Sequence, residues 1–332
     1  MVWKNPWYNP EYSHHLPDGF CNVEPDLRQP GDVKRWRRER KANNLPLPPR
    51  AGYAAFINQW WQSAQLDEAG DGVWWLGHAT LLLRLHGRYL LTDPVFSSRA
   101  SPLRFLGPKR KTPPALTLEH LPQPDAVVIS HNHYDHLDLH SVRTIHRRFP
   151  ETCFYVPLGL GRWFRQHGIR NVQERDWWQG VRTGRFTITA VPARHWSMRT
   201  LWDRNRSLWC GWVIESPELR FWFCGDSGES RLLPTIGQRL GPLDAAAIPI
   251  GAFEPRWFMA NHHMGPQEAV ALWREIGRPL AVPIHWGAFE LADESLDIPP
   301  QALIAKLKHD NEGETLFFPR RMGEFVSLVR NK

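Results

Sequence analysis

The stretch from Ser130 to Asp138 reads SHNHYDHLD and places His131, His133, Asp135 and His136 within six residues. Imidazole nitrogens and a carboxylate, with no thiolate among them, form a donor set for zinc or a similar divalent ion. The cluster directly follows DAVVIS, an apolar run that reads as a strand, and a loop leaving a rigid strand end can turn several imidazoles toward one point. A lone histidine is usually a surface or core residue. Four potential ligands in six positions, from only 16 His in the chain, do not fit that explanation. One loop cannot surround two ions, so further ligands must come from elsewhere. Three other apolar runs end in a suitable residue: FTITAVPARHW in His195, RFWFCGD in Asp226 and PLAVPIHW in His285. The geometric reading is a shared rim of strand ends.

The elements that must hold such a rim are legible after Gly72. Strands are predicted in VWWLGHATLLLRL and GRYLLTDPVF, then at 125–130, in TCFYVP, and at 186–191, 207–215, 220–224, 245–250 and 280–284. Helices are predicted at 137–149, 231–240, 266–276 and 301–308. They interleave without the regular alternation of a doubly wound sheet, which favours mixed sheets with outer helices. The first 50 residues contain eight prolines, which predicts little regular structure there. Within them KRWRRERK (Lys34 to Lys41) carries six cations and one acid. It reads as a solvated segment or as a contact to anionic headgroups, each cation contributing about 1 kcal/mol near such a surface. Between Tyr53 and Ala64 the apolar residues Phe56, Ile57, Trp60, Trp61 and Ala64 recur at helical spacing, which predicts a core-facing helix ahead of a membrane-facing one.

Composition removes several classes. A 42% hydrophobic and 23% charged chain is not disordered. No run approaches 18 apolar residues, which excludes a transmembrane helix, and MVWKNPWYNPEYSHH lacks the apolar region of a secretory signal. Four scattered cysteines with no CxxC pair rule out a Cys-rich structural zinc site and fit a reducing compartment. The expected location is therefore cytoplasmic, peripheral on the inner face of a membrane if the basic segment binds lipid. A formal charge of +7 favours anionic partners. No RRM, KH, finger or helix-turn-helix signature supports nucleic acid, and no GxSxG elbow supplies a serine nucleophile.

HxHxDH followed by His, Asp and His at later strand ends resembles the metallo-β-lactamase superfamily of dinuclear zinc hydrolases. Longer strings are similar to the N-acyl-phosphatidylethanolamine-hydrolysing phospholipase D family: WLGHAT (75–80), LTDPVFSSRASP (91–102), LGPKR (106–110), DWW (176–178), AAIPIGAFEPRWFM (246–259) and IHWGAF (284–289). The resemblance covers roughly residues 74 to 330. It implies an α/β fold (α+β by some schemes), the αββα four-layer metallo-β-lactamase sandwich, over 71–332. Residues 1–70 become a Pro-rich basic extension with an amphipathic helix, of a kind that helps form the dimer and the membrane-facing surface in relatives.

The same resemblance implies two zinc ions per chain. His131, His133 and His195 would hold one, Asp135, His136 and His285 the other, and Asp226 would bridge them. Two dications outweigh the two carboxylates and a bridging hydroxide, which suits a phosphodiester monoanion. The implied activity is phospholipase D hydrolysis of N-acyl-phosphatidylethanolamine to N-acylethanolamine and phosphatidic acid. The alternative is a lactonase or phosphoesterase on the same scaffold, acting on a soluble metabolite. Asp135, Asp226 and His263 are the catalytic candidates, His263 as a donor to the reacting phosphate or else as a packed helix-start residue. Arg199 is a phosphate partner or a surface charge. Asp93 and His78 fall where partners would hold the ligands or are hydrogen-bonded core residues, and Trp196 and Trp286 fall where side chains would wall the pocket or pack as plain core. Arg104 and Phe105 stand where animal phospholipases of the family carry Gln-Tyr, so this entrance gains a cation and loses a hydroxyl. The implied partners are an anionic phospholipid substrate, a membrane surface and a second copy of the chain.

Overall fold

The computed structural model describes residues 3–68, 70–312 and 316–328. Two mixed sheets lie face to face with helices outside them, the four-layer arrangement of the metallo-β-lactamase fold. The seven-stranded sheet runs Phe325–Ser327, Gly72–Gly77, Thr80–Leu85, Arg88–Thr92, Pro124–Val128, Cys153–Pro157 and Val172–Arg175. The six-stranded sheet runs Leu280–Ile284, Ala245–Pro249, Arg220–Phe223, Gly211–Glu215, Phe186–Val191 and Gly180–Thr183. Strands buried on both faces need continuous apolar runs rather than alternation. Every residue of Cys153–Pro157 and of Ala245–Pro249 is buried accordingly.

Strand direction creates the rim. Arg88–Thr92, Pro124–Val128, Cys153–Pro157 and Val172–Arg175 are mutually parallel, and so are Arg220–Phe223, Ala245–Pro249 and Leu280–Ile284. Parallel neighbours all end on the same side. Asp93, His131, Asp226 and His285 therefore leave their strands in the same place.

The chain holds 18 Trp in 332 residues, a high share, and much of that tryptophan is core with a polar anchor. Indole combines a large apolar body with one N–H that needs an acceptor when buried. Trp75 donates to the carbonyl of His78 at 2.8 Å, Trp273 to Pro279 at 2.7 Å, and Trp212 to Ile129 at 2.9 Å. The last bond ties the six-stranded sheet to the strand end just before the histidine-rich loop. Trp286 packs edge-on against Trp60 and tilted on Trp75, so it is core and not pocket wall.

The proline-rich start is more ordered than its composition predicts. His15–Leu16 pairs with Gly19–Phe20, and Asp32–Ala42 is an α-helix. Proline disrupts a helix only from an interior position, and here Pro30 precedes the helix while Pro46 follows it. That helix contains KRWRRERK with one face docked. Trp36 stacks on Phe258 and donates to Asp293 at 3.0 Å, while Arg40 donates to the carbonyls of Leu291 and Glu290 at 3.1 and 3.2 Å. Lys34, Arg37, Arg38 and Lys41 stay exposed. The next helix, Gly52–Trp60, buries Phe56 and Trp60 in the main core. Trp61 and Ala64 lie beyond its end. Among the described residues no helix is long and apolar enough to cross a membrane.

Candidate metal centre

The HxHxDH loop closes into the helix Leu139–Arg148, whose N-cap Asp138 accepts from the backbone N–H of His140. Three loop residues near the centre hold left-handed backbone without being glycine: His78 at φ 56°, Asp93 at 34° and His285 at 66°. Such conformations cost on the order of 1–3 kcal/mol each and persist where the surroundings over-determine them. Gly225, also left-handed, lets the Asp226 loop approach Ser130; a Cβ there would lie 2.8 Å from that of Ser130.

Two groups of donors result. His131 Nε2 lies 2.8 Å from His133 Nδ1, which lies 3.2 Å from His195 Nε2. His136 Nε2 and His285 Nε2 lie 3.3 and 3.5 Å from Asp135 Oδ2. Asp226 stands between the groups, its Oδ2 at 3.0 Å from His285 Nε2, 3.1 Å from His136 Nε2 and 3.7 Å from His195 Nε2. All seven residues named for metal in the sequence are thus gathered here.

The surrounding hydrogen bonds settle which ring nitrogens carry protons. His195 Nδ1 donates to the carbonyl of His262 at 2.9 Å and His285 Nδ1 to that of Gly251 at 3.3 Å. His136 Nδ1 donates to Asp93 at 2.7 Å. The Ser130 hydroxyl gives its hydrogen to Asp93, so its oxygen accepts from His131 Nδ1 at 2.9 Å. Each of these four rings therefore turns its Nε2 inward. On His131 and His195 that atom is a bare lone pair; on His136 and His285 it carries a proton toward Asp226 unless a metal ion takes that proton's place. Asp226 Oδ1 and the Nε2 atoms of His136 and His285 are buried without a hydrogen-bond partner. Lone pairs facing one another in a buried site repel unless a cation lies among them, and this donor set fits divalent metal.

Electrostatics separate the groups. Burial opposes charge on His136 and His285, but the Asp226 carboxylate, with Asp135, outweighs it; His136 is held well above the usual imidazole range and His285 is pushed up to about 9. Burial and neighbouring imidazoles hold His131 and His195 well below that range. The Asp135 side is therefore the more negative.

The comparisons with known proteins agree with this geometry. A family model described as a beta-lactamase superfamily domain matches residues 88–286. N-acyl-phosphatidylethanolamine-hydrolyzing phospholipase D 1 of Caenorhabditis elegans is 41% identical over 270 residues, covering 78% of this chain and 76% of the worm protein. The chain belongs to the N-acyl-phosphatidylethanolamine-hydrolysing phospholipase D family. The mitochondrial member from Saccharomyces cerevisiae is 33% identical over 69% of this chain, which spans half of the yeast protein's length. Among solved structures, the isothiocyanate hydrolase from Delia radicum gut bacteria superposes with a TM-score of 0.63 at 16% identity, covering 77% of this chain and 98% of that one. At that identity the likeness speaks for the fold alone. Family and fold together make this phospholipase relative a metal-dependent hydrolase.

The remaining candidates divide. His263 reaches the centre, its Nδ1 3.9 Å from Asp226 Oδ2 and its ring stacked on His285; burial pushes its pKa down to about 3, so it is neutral. His78 Nε2 donates to Asp135 Oδ2 at 2.9 Å. Trp196 packs edge-on against His133. Arg199 is occupied: Nη1 donates to the carbonyls of Asn132 and Leu137 at 2.9 and 2.6 Å, and the guanidinium lies over the Tyr134 ring. It braces the ligand loop, and burial lowers its pKa to about 10. Arg104 and Phe105 are exposed on a neighbouring loop. Ser130 and His262 were not legible in advance, because their contributions are a hydroxyl relay and a backbone carbonyl.

A third His/Asp group lies elsewhere, with His14 Nε2 and His15 Nε2 at 2.7 and 2.9 Å from the two oxygens of Asp176. The Asn9 amide donates to His15 Nδ1, so His15 Nε2 carries the proton and gives it to Asp176. That arrangement is a satisfied hydrogen-bond lock between the chain's start and its body.

Proposed function

We propose that this chain is a dinuclear zinc phosphodiesterase of phospholipase D type, cleaving N-acyl-phosphatidylethanolamine into N-acylethanolamine and phosphatidic acid. The observation that carries it is the placing of Asp226 between a three-histidine group and an Asp/His group, in a chain 41% identical to a worm enzyme of that name. Residues His131, His133 and His195 would hold one ion and Asp135, His136 and His285 the other, with Asp226 shared. Two such ions clamp phosphoryl oxygens and lower the pKa of water enough for attack at neutral pH. The chain's own residues do the rest. Asp93, Ser130, His262 and Gly251 fix the imidazole tautomers, and His78 holds Asp135. His263, neutral and beside Asp226, is placed to hydrogen-bond the departing or developing oxygen.

The partners follow from the charge. N-acylation removes the ethanolamine's positive charge, so the substrate is anionic and suits a +7 chain. The groove beside the ligand loop, about 470 Å³, is lined by Tyr134, Arg104, Arg143 and Arg147 and supports an anionic phospholipid at a membrane surface. The test is hydrolysis in ¹⁸O-water with product mass spectrometry. Attack at phosphorus puts the label into phosphatidic acid and leaves the N-acylethanolamine unlabelled. Label in a released fatty acid would make the protein an esterase or lactonase instead.

A further inference from the structure

His195 is the ligand with the least sheet support. It lies four residues beyond the end of Phe186–Val191, in a loop that pairs with neither sheet. Its backbone is nevertheless fully bonded, and by one side chain. Asn22 Nδ2 donates to the His195 carbonyl at 2.8 Å, and the His195 N–H donates to Asn22 Oδ1 at 3.1 Å. Trp209 Nε1 also donates to that oxygen at 3.0 Å. Two donors at the oxygen and a carbonyl at the nitrogen leave only one way round for the amide.

The chain on either side of Asn22 is anchored to the loops that carry the centre. Before it, Phe20 is fully buried and its N–H donates to the Asn205 carbonyl at 2.8 Å. After it, Glu24 accepts from Ser230 Oγ at 2.8 Å and from the Arg231 N–H at 3.1 Å, in the loop that follows Asp226. The Pro25 carbonyl accepts from Arg194 at 3.0 Å. Asp26 Oδ2 lies 3.3 Å from His262 Nε2, and the His262 carbonyl receives His195 Nδ1–H. His195 is thus held at its backbone by Asn22, and at its ring by a residue that Asp26 reaches.

We propose that Asn22 is a positioning residue of the metal centre, and that the segment around it completes the three-histidine group from outside the two-sheet body. This rests on the reading of His195 as a metal ligand given above. Removing the amide leaves two buried backbone groups of His195 without partners, and the loop can regain them only by moving. The imidazole would then leave its place opposite His131 and His133. Partners that orient metal ligands typically contribute about 10–100-fold in metal affinity, and that is the loss expected at the three-histidine position.

The experiment uses the full-length chain, stripped of metal and titrated with cobalt(II), followed by its ligand-field absorption. Wild type should take up two equivalents. Asn22→Ala should bind one equivalent about 10–100-fold more weakly, with a changed spectrum. Asn22→Asp, which keeps the volume and the acceptor but loses the donor, should fall between; it decides the matter if the alanine variant does not fold. Asn5→Ala removes an anchor of the same N-terminal segment, the bonds from Nδ2 to the Leu16 and Gly19 carbonyls, without touching a ligand loop, and should keep wild-type cobalt affinity even where its Tm drops. Cobalt affinity and spectrum unchanged in both Asn22 variants would overturn the proposal. So would an equal loss in Asn5→Ala, which would mean general loosening. If wild type itself binds no cobalt, the metal reading falls, a result distinct from either.

Discussion

Asp93 and His136 are joined by a 2.7 Å hydrogen bond between Oδ2 and Nδ1, both fully buried. The same carboxylate accepts from the Ser130 hydroxyl, which in turn accepts from His131. One side chain outside the ligand set therefore orients an imidazole in each donor group. Asp93→Ala should weaken both metal positions, by about 10–100-fold, and lower turnover in proportion. Metal content after dialysis against a weak chelator, compared with kcat, checks this. Retained metal with lost activity would instead place Asp93 in the chemistry.

Asp226→Asn tests the shared ligand. An amide keeps the shape but not the charge that stands between the two groups. Turnover should fall below detection and at least one metal equivalent should be lost. Metal analysis and activity matching wild type would remove Asp226 from the centre.

Arg199 can be tested against the substrate role suggested by its place in the sequence. Its bonds to the Asn132 and Leu137 carbonyls brace the ligand loop, and hydrogen bonds from a charged donor contribute about 1.5–3 kcal/mol each. Arg199→Ala should then lower unfolding stability by about 3 kcal/mol or more, and reduce kcat with little change in KM. A raised KM at unchanged stability would return Arg199 to the substrate.

The lock between His14, His15 and Asp176 makes a prediction about pH. Burial, ahead of the partly compensating Asp176 charge, holds His15 below the usual imidazole value of 6.5. Between the folded and unfolded pKa the unfolded chain binds more protons, so stability falls as pH drops below 6.5. Asp176 is held below 3.8, its bonds to His14 and the charges of both histidines outweighing burial, so its contribution is lost at still lower pH. His15→Gln keeps an N–H for Asp176 without a titrating ring. The Tm difference between wild type and this variant should narrow as pH falls from about 7 to about 5. A constant difference would mean His15 does not titrate in that window.

How far the sequence reached depends on what each residue contributes. The metal ligands were legible because they are side chains of diagnostic type placed directly after apolar strands, and the strands Phe186–Val191 and Leu280–Ile284 have the limits read from their residues. The helix Asp32–Ala42 was not, because proline counting ignores where the prolines stand. The short strands Val172–Arg175 and Gly180–Thr183 carry no apolar alternation and exist because a neighbouring strand offers them an edge. Asn22 was invisible for a different reason. It is a common polar residue, 173 positions from the ligand it holds, and no spacing rule links the two.

The last prediction concerns the membrane. Two loops flank the groove beside the ligand loop, and their tips expose Phe105 at 78%, Leu106 at 62%, Leu201 at 83% and Trp202 at 77%. Between them stand Arg104, Arg143 and Arg147. Apolar tips around a cationic floor suit an anionic bilayer, the rings entering the interface while the guanidinium groups meet phosphate. The helix Asp32–Ala42 is the rival face, with Lys34, Arg37, Arg38 and Lys41 exposed; the apolar side chains beside them are less exposed than the loop tips, Val33 at 46% and Trp257 at 37%, and Trp36 is stacked on Phe258. Losing an inserted aromatic ring should cost about 1.4 kcal/mol or more, so Phe105→Ser with Trp202→Ser should bind phosphatidylglycerol-containing vesicles at least roughly tenfold more weakly. Neither residue touches the ligand set, so hydrolysis of a soluble phosphodiester should be unchanged. Arg37→Glu with Arg38→Glu should have the smaller effect on vesicle binding, and one that disappears at high salt. Weakened binding in the helix variant alone would assign the membrane face to the N-terminal helix and leave the loop tips to guard the groove.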